Sequence, residues 1–244
     1  MPQCLMCGSN TALTREHAIP AWVGRELDPL GAPVMHRYQA PYSGVQREWT
    51  AAGVDVKVRK VCQACNSGWM AELEAKAQTV LGPLIRGESR VLTTVDCKLT
   101  TQWFLKTMLF LELAGDPEQR VAFLKHEQWV RTGQVPPALA LWIGSARQLS
   151  GIATAGRGME VRVGNRVGAG WLFAMVLGRL ILVAFGAPNS FGASQLTAPM
   201  SRALARLWPM PPLTVPFPGR VQLGRKQVPL IIDLVHQSLP SSRP

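Results

Sequence analysis

Two cysteine pairs, Cys4-Leu5-Met6-Cys7 and Cys62-Gln63-Ala64-Cys65, each leave the two-residue gap that lets both thiolates reach one ion. Together they supply the four ligands of a tetrahedral Zn²⁺ site. A site closed by four thiolates keeps no coordination position open, so this zinc is expected to be structural, its binding free energy becoming folding free energy. The 54 residues between the pairs exceed the spacing of a simple zinc ribbon, so an inserted structure must bring the two ends together. No βαβ pattern surrounds either pair, which sets a redox role aside. Cys97, the fifth cysteine, is expected to be an inert buried thiol. Chemistry must then come from elsewhere. Between the pairs runs Leu13-Thr14-Arg15-Glu16-His17-Ala18-Ile19-Pro20, and directly after the second pair stands Asn66. A neutral imidazole can accept a proton at physiological pH. The same Glu16-His17 dipeptide could equally tie a loop to the zinc knuckle, and Asn66 could serve as a helix cap.

The acid-His-x-x-Pro run of 16–20, followed by Cys62-x-x-Cys65-Asn66-x-Gly68-Trp69-Met70, resembles the signature of HNH endonucleases in order and composition. The resemblance covers about residues 1–80. It implies a treble-clef, ββα-metal module in which His17 is the general base that deprotonates water, while Glu16 and Asn66 hold a divalent cation against the scissile phosphate. Mg²⁺ or Mn²⁺ suits such oxygen ligands better than zinc does. Residues 54–61 contain no Asn where the family has its base-orienting one, leaving Asp55, Lys57 or a backbone carbonyl to take that part. The implied activity is metal-dependent hydrolysis of phosphodiester bonds, with DNA the expected substrate. The alternative is a non-catalytic zinc-finger module that binds nucleic acid or protein.

These groups need elements to hold them. Residues 54–61 alternate apolar and charged side chains with period two, the pattern of a strand with one buried face and one basic face, and that strand delivers Cys62. Trp69, Met70, Leu73, Ala77, Val80 and Leu81 recur at helical spacing until Gly82-Pro83, where the helix is expected to stop. The second pair therefore sits at a strand-to-helix junction. Adjacent residues on a regular strand face opposite ways, so Glu16 and His17 can share a site only at a strand end or bulge. Further on, 101–114 reads as a buried helix ended by Gly115, with Trp103, Phe104, Met108 and Phe110 as core. Asp116-Pro117-Glu118-Gln119 opens a helix to about residue 131. Strands follow at 138–143, 159–163, 171–177 and 180–185, and the Pro-rich stretch 209–218 reads as a loop. The expected class is α+β: a zinc module over 1–88, then an α+β body over 89–244 with helices and an antiparallel sheet.

Charge points to the partner. The 244 residues carry a formal net charge of +11, which favours a polyanionic partner, nucleic acid or an anionic membrane surface, between which charge alone does not choose. Residues 1–90 hold 10 Lys and Arg against 8 Asp and Glu, leaving 16 basic and 7 acidic side chains behind them, so if the front carries chemistry the body is the expected electrostatic clamp, the alternative being a solvated basic surface that keeps the protein soluble. Arg15, Arg47, Lys57, Arg59 and Lys60 lie close enough to the motif to contact phosphates beside a cut. His36, His126 and His236 are solitary and stay out of the site. No basic n-region followed by an apolar h-region opens the chain, and its most apolar stretch, 171–185, is broken by Gly178-Arg179. A cytoplasmic protein with no membrane partner is expected.

Overall fold

The computed structural model of the protein describes residues 2–27, 35–39, 46–50, 56–115, 127–136, 138–148, 151–163, 165–187, 203–209, 214–228 and 231. The chain is α+β. β1 (Leu13–His17) pairs antiparallel with β4 (Lys57–Cys62), and α1 (Ala21–Leu27) follows Pro20 between them. β2 (Met35–Gln39) and β3 (Gln46–Thr50) form an antiparallel pair of their own inside the long insertion. Beyond β4 come a short helical turn, α2 (Gln63–Cys65), a π-helical turn (Asn66–Met70) and the long helix α3 (Ala71–Arg86). The strand-to-helix junction expected at the second cysteine pair is therefore present.

The helix expected to stop at Gly82-Pro83 instead runs on to Arg86 and is capped by Gly87 at φ 85°. Proline at position 83 cannot donate to the carbonyl of Thr79, which would normally leave that oxygen orphaned. Here Arg90 Nη1 donates to Thr79 O at 2.7 Å, so the helix crosses the proline with its acceptor satisfied.

After β5 (Arg90–Leu92), helix α4 (Thr94–Ala114) begins two turns earlier than its apolar run suggests. A capping box starts it: Thr93 Oγ1 accepts from the Asp96 N–H at 3.2 Å, and Asp96 Oδ2 accepts from the Thr93 N–H at 2.9 Å. From residue 103 to 110 every side chain is buried, as a helix apolar around most of its circumference must be. Gly115 ends it, as expected. Of the helix expected over 116–131, α5 (Glu127–Thr132) is present, and 116–126 lie outside the described residues.

The second half is a sheet of six strands in the order β10-β6-β9-β8-β7, with β12 beside β6. These are β6 (Leu139–Ala146), β7 (Ile152–Val163), β8 (Arg166–Leu177), β9 (Leu180–Gly186), β10 (Ala205–Trp208) and β12 (Gln222–Leu223). All neighbours are antiparallel except β12 with β6. Within the Pro-rich stretch, β11 (Val215–Phe217) is not loop: it pairs with β5, and Pro216 is tolerated because the ladder has only two strands. One face of the large sheet packs on α3 and α4, for example through the edge-to-face pair Phe104 and Phe173 at 5.9 Å. A continuous cluster of buried residues runs from Cys4 and Met6 through α1, α3 and α4 to Met175, Leu180 and Leu182 on that face. Among the described residues no helix is long and apolar enough to cross a membrane.

β8 and β9 are joined at Gly178-Arg179, and this turn docks on the end of α3: the Arg179 N–H donates to Ile85 O at 2.9 Å. Gly178 has φ 59°, and a Cβ there would sit 2.5 Å from Ile85 O and 2.9 Å from Leu27 Cδ2. Both the backbone conformation and the contact with a main-chain oxygen demand glycine. Gly178→Ala is expected to destabilise the protein by about 2–4 kcal/mol, read as a lowered denaturant midpoint at unchanged m. A loss of less than about 0.5 kcal/mol would show that the turn is not docked this way.

Candidate metal centre and the residues around it

The first knuckle is a tight turn. The Gly8 N–H donates to Cys4 O at 2.8 Å, and the Leu5 N–H donates to Lys60 O at 2.9 Å, fastening the turn to β4. The Cys62 N–H donates to Cys4 Sγ at 3.3 Å. The result is that the ligand atoms of Cys4, Cys7, Cys62 and Cys65 all lie within 4.8 Å of one another. Cys7 Sγ and Cys62 Sγ are 3.7 Å apart, far beyond a disulfide. A tetrahedral zinc with Zn–S bonds of about 2.3 Å requires sulfurs about 3.8 Å apart, so the cluster fits the ion. These four cysteines can hold a metal such as zinc. Three are buried and Cys7 is exposed, which leaves an entry path.

Proton affinities differ sharply within the cluster. A hydrogen bond from the Cys65 backbone to the Cys62 sulfur lowers the Cys62 thiol to about 6. Burial, helped by the neighbouring thiols, pushes Cys65 up to about 12. The spare Cys97 is fully buried, and that burial raises its thiol to about 11, consistent with the inert role expected for it.

β1 and β4 do not pair regularly. Thr14 lies opposite Val61 and Glu16 opposite Val58, so Arg15 faces two residues, Arg59 and Lys60, in a β-bulge on β4. The bulge rephases both strands. On β4 it buries Val58 and Val61, three apart, while Lys57, Arg59 and Lys60 remain exposed; on β1 it buries Leu13 and Glu16 with Arg15 exposed between them. His17 is half-buried as the last residue of β1, beyond which the Ala18 N–H still donates to Val56 O at 2.7 Å. Glu16 thus directly follows the bulge and His17 ends the strand. Backbone pairing on either side holds the His17 main chain; Asp55 lies outside the described residues.

Asn66 is half-buried at the start of the π-helical turn. Its Nδ2 donates to Thr14 Oγ1 at 3.0 Å and to Arg15 O at 3.3 Å, while Thr14 Oγ1 donates to Val61 O at 3.1 Å. The amide therefore ties the helix start to β1 one residue ahead of Glu16. Glu16 is engaged from another direction: Lys106 Nζ of α4 lies 2.5 Å from Glu16 Oε1 and also bonds Glu74 of α3. Lys106 is fully buried and sits 4.9 Å over the Phe110 ring. Burial raises the Glu74 carboxyl above the usual carboxylate range, against the pull of Lys106.

Of the basic residues expected near phosphate, Arg15, Lys57, Arg59 and Lys60 share an exposed strand face, although Arg59 Nε also donates to Leu13 O at 2.9 Å. Arg47 and His36 stand in β3 and β2, whose side chains are outside the description, as are His126 and His236. Trp103, Phe104, Met108 and Phe110 are core, as expected. Sequence reading missed Thr14, Glu74, Lys106 and Arg131, whose Nη1 donates to Met6 O at 3.1 Å inside the first knuckle. Only Lys106 left a trace, as a lone charge among Trp103, Phe104, Met108 and Phe110. No family model, curated protein or solved structure matches the chain.

Zinc content tests the cluster directly. Purified protein is expected to carry one zinc per chain by metal analysis, retained in Cys97→Ser and lost in Cys65→Ser. Thiolates bind only after losing protons, so zinc affinity must fall as pH is lowered. Zinc retained by Cys65→Ser at stoichiometric level would break the assignment.

Proposed function

We propose that the chain is a metal-dependent endonuclease of the HNH type, cutting DNA, with β1, β4 and the helix after Cys65 as its treble-clef ββα-metal module. The observation that carries this reading is the company kept by Asn66: its side chain is bonded to the strand that bears Glu16 and His17, beside the four-cysteine cluster. Hydrogen bonds thus join the two segments that carry the motif, about fifty positions apart, which supports the reading.

In this reading His17 takes a proton from the attacking water, which a neutral imidazole can do near pH 7. Glu16 and the Asn66 carboxamide oxygen hold Mg²⁺ or Mn²⁺, and with both amide hydrogens of Asn66 directed at Thr14 and Arg15 the oxygen is the end left to serve. Bound there, the cation stabilises charge on the phosphate and leaving oxygen. A carboxylate ligand that is itself hydrogen-bonded, as Glu16 is by Lys106, is the usual arrangement in metal sites. Zinc supplies rigidity and no step. Arg15, Lys57 and Lys60 face the DNA backbone.

A second reading is a zinc module that binds nucleic acid without cutting it. It draws on the same bonds: Glu16 and Asn66 each have a structural partner, so neither requires a catalytic cation to explain its place.

Zinc-loaded protein incubated with supercoiled plasmid and Mg²⁺ or Mn²⁺ separates the two. Nicking is expected from wild type and a loss of at least about 100-fold from His17→Ala. Binding by both proteins with cleavage by neither leaves the second reading. In either case, replacing Lys57 and Lys60 together with Ala is expected to lower the slope of log K against log salt by about 2. An unchanged slope would remove this strand face from the interface.

A further inference from the structure

Lys106 is the most deeply buried charge among the described residues, its side chain fully inaccessible on a helix that starts outside the zinc module. A buried ammonium is costly unless paired and hydrogen-bonded. Here it is paired twice, with Glu16 from β1 and Glu74 from α3. The two carboxylates are not equivalent. Glu74 is the more exposed and belongs to none of the motifs; Glu16 neighbours His17. An ammonium needed only to balance charge in the core has no reason to stand against the carboxylate next to the candidate base. α5 approaches the module in parallel, through Arg131 on the Met6 carbonyl.

From this geometry we infer that Lys106 is a positioning residue of the nuclease site: it fixes the Glu16 carboxylate in direction, so that α4 contributes to catalysis without touching substrate. The inference rests on the endonuclease reading above. It also assigns the region after residue 90 a part in the site. A carboxylate held at one oxygen by a buried cation loses rotameric freedom and presents its remaining lone pairs along a fixed line, the condition for a ligand that must be ready before the phosphate arrives. Glu74 is the supporting member that offsets the ammonium and stays outside the reaction.

The test uses full-length, zinc-loaded protein, with plasmid nicking in Mn²⁺ as the assay and His17→Ala as the blank. Lys106→Met alone leaves two carboxylates facing each other and is prone to unfold. Two variants avoid that: Lys106→Met with Glu74→Gln, which keeps the net charge of the group, and Lys106→Met with Glu16→Gln, which removes the bonded pair. Glu74→Gln alone is expected to nick within threefold of wild type, whereas Lys106→Met with Glu74→Gln loses at least tenfold in kcat at unchanged KM for DNA. Because Lys106 acts through Glu16, Lys106→Met with Glu16→Gln is expected to be no slower than Glu16→Gln alone. Equal zinc content and far-UV circular dichroism establish that each protein is folded. If Lys106→Met with Glu74→Gln nicks like Glu74→Gln, Lys106 is a structural pair only and the inference falls while the nuclease reading stands; if Glu16→Gln costs nothing, the inference falls together with the assignment of Glu16 as a cation ligand. If wild type does not nick at all, both fall together.

Discussion

Four sulfurs gathered within 4.8 Å of one another are the constraint on which the N-terminal part depends. Closing a loop of 54 residues costs about 3.5 kcal/mol beyond a constant, whereas a structural zinc contributes about 10–16 kcal/mol of folding free energy at neutral pH. The metal term is several times the larger. A segment rich in turns and short strands can therefore be held in one arrangement without a core of its own size. Given that closure, β1 and β4 must run side by side, and the start of the helix must abut β1. The Asn66 bonds to Thr14 and Arg15 are consequences of that geometry as much as supports for it.

The same N-terminal segment meets the rest of the chain through charge as well as apolar contact. Burying Lys106 with Glu16 and Glu74 gives a group of two acids and one base, and replacing such a group with well-packed apolar side chains is often neutral or stabilising. Stability therefore does not explain it. Glu74 is in fact the unfavourable member: its carboxyl is raised in the folded state by burial, so the folded state holds that proton more tightly. Its effect on stability becomes adverse as pH climbs past the ordinary glutamate range. What the arrangement does secure is direction, since an ammonium on a rigid 21-residue helix holds Glu16 more firmly than solvent could.

How much of this was legible in the sequence follows from the range of each interaction. Cys4, Cys7, Cys62 and Cys65 announce themselves by spacing, the β8–β9 hairpin by Gly178 between two apolar runs, and α4 by its apolar length. Local breakers were less faithful. Pro83 ought to end α3, and does not, because Arg90 satisfies the Thr79 carbonyl from outside the helix. Likewise Val215–Phe217 is a strand because β5 offers an edge, which no proline count can reveal. The bulge had a signal that was passed over. Val54, Val56 and Val58 fall on even positions and Val61 on an odd one, so the Arg59-Lys60 pair must absorb an extra residue. Lys106 and Glu16, ninety residues apart, had no pattern to connect them.

That bulge bears most directly on chemistry. In a regular ladder Glu16 and Leu13, three apart, would face opposite sides and could not both be buried on one face. With two residues of β4 set against Arg15, the chain turns Glu16 inward to Lys106 and keeps Arg15, Lys57 and Lys60 outward. The strand then ends at His17, opposite Lys57, which releases the imidazole from strict alternation, while Asn66 is bonded nearer the start of β1, to Thr14 and Arg15. The basic outer face draws on both strands, through Arg15, Lys57 and Lys60, whereas the inner carboxylate and the half-buried histidine are the last two residues of β1. The extra residue on β4 is what lets Leu13 and Glu16 both be buried while Arg59 and Lys60 both stay exposed.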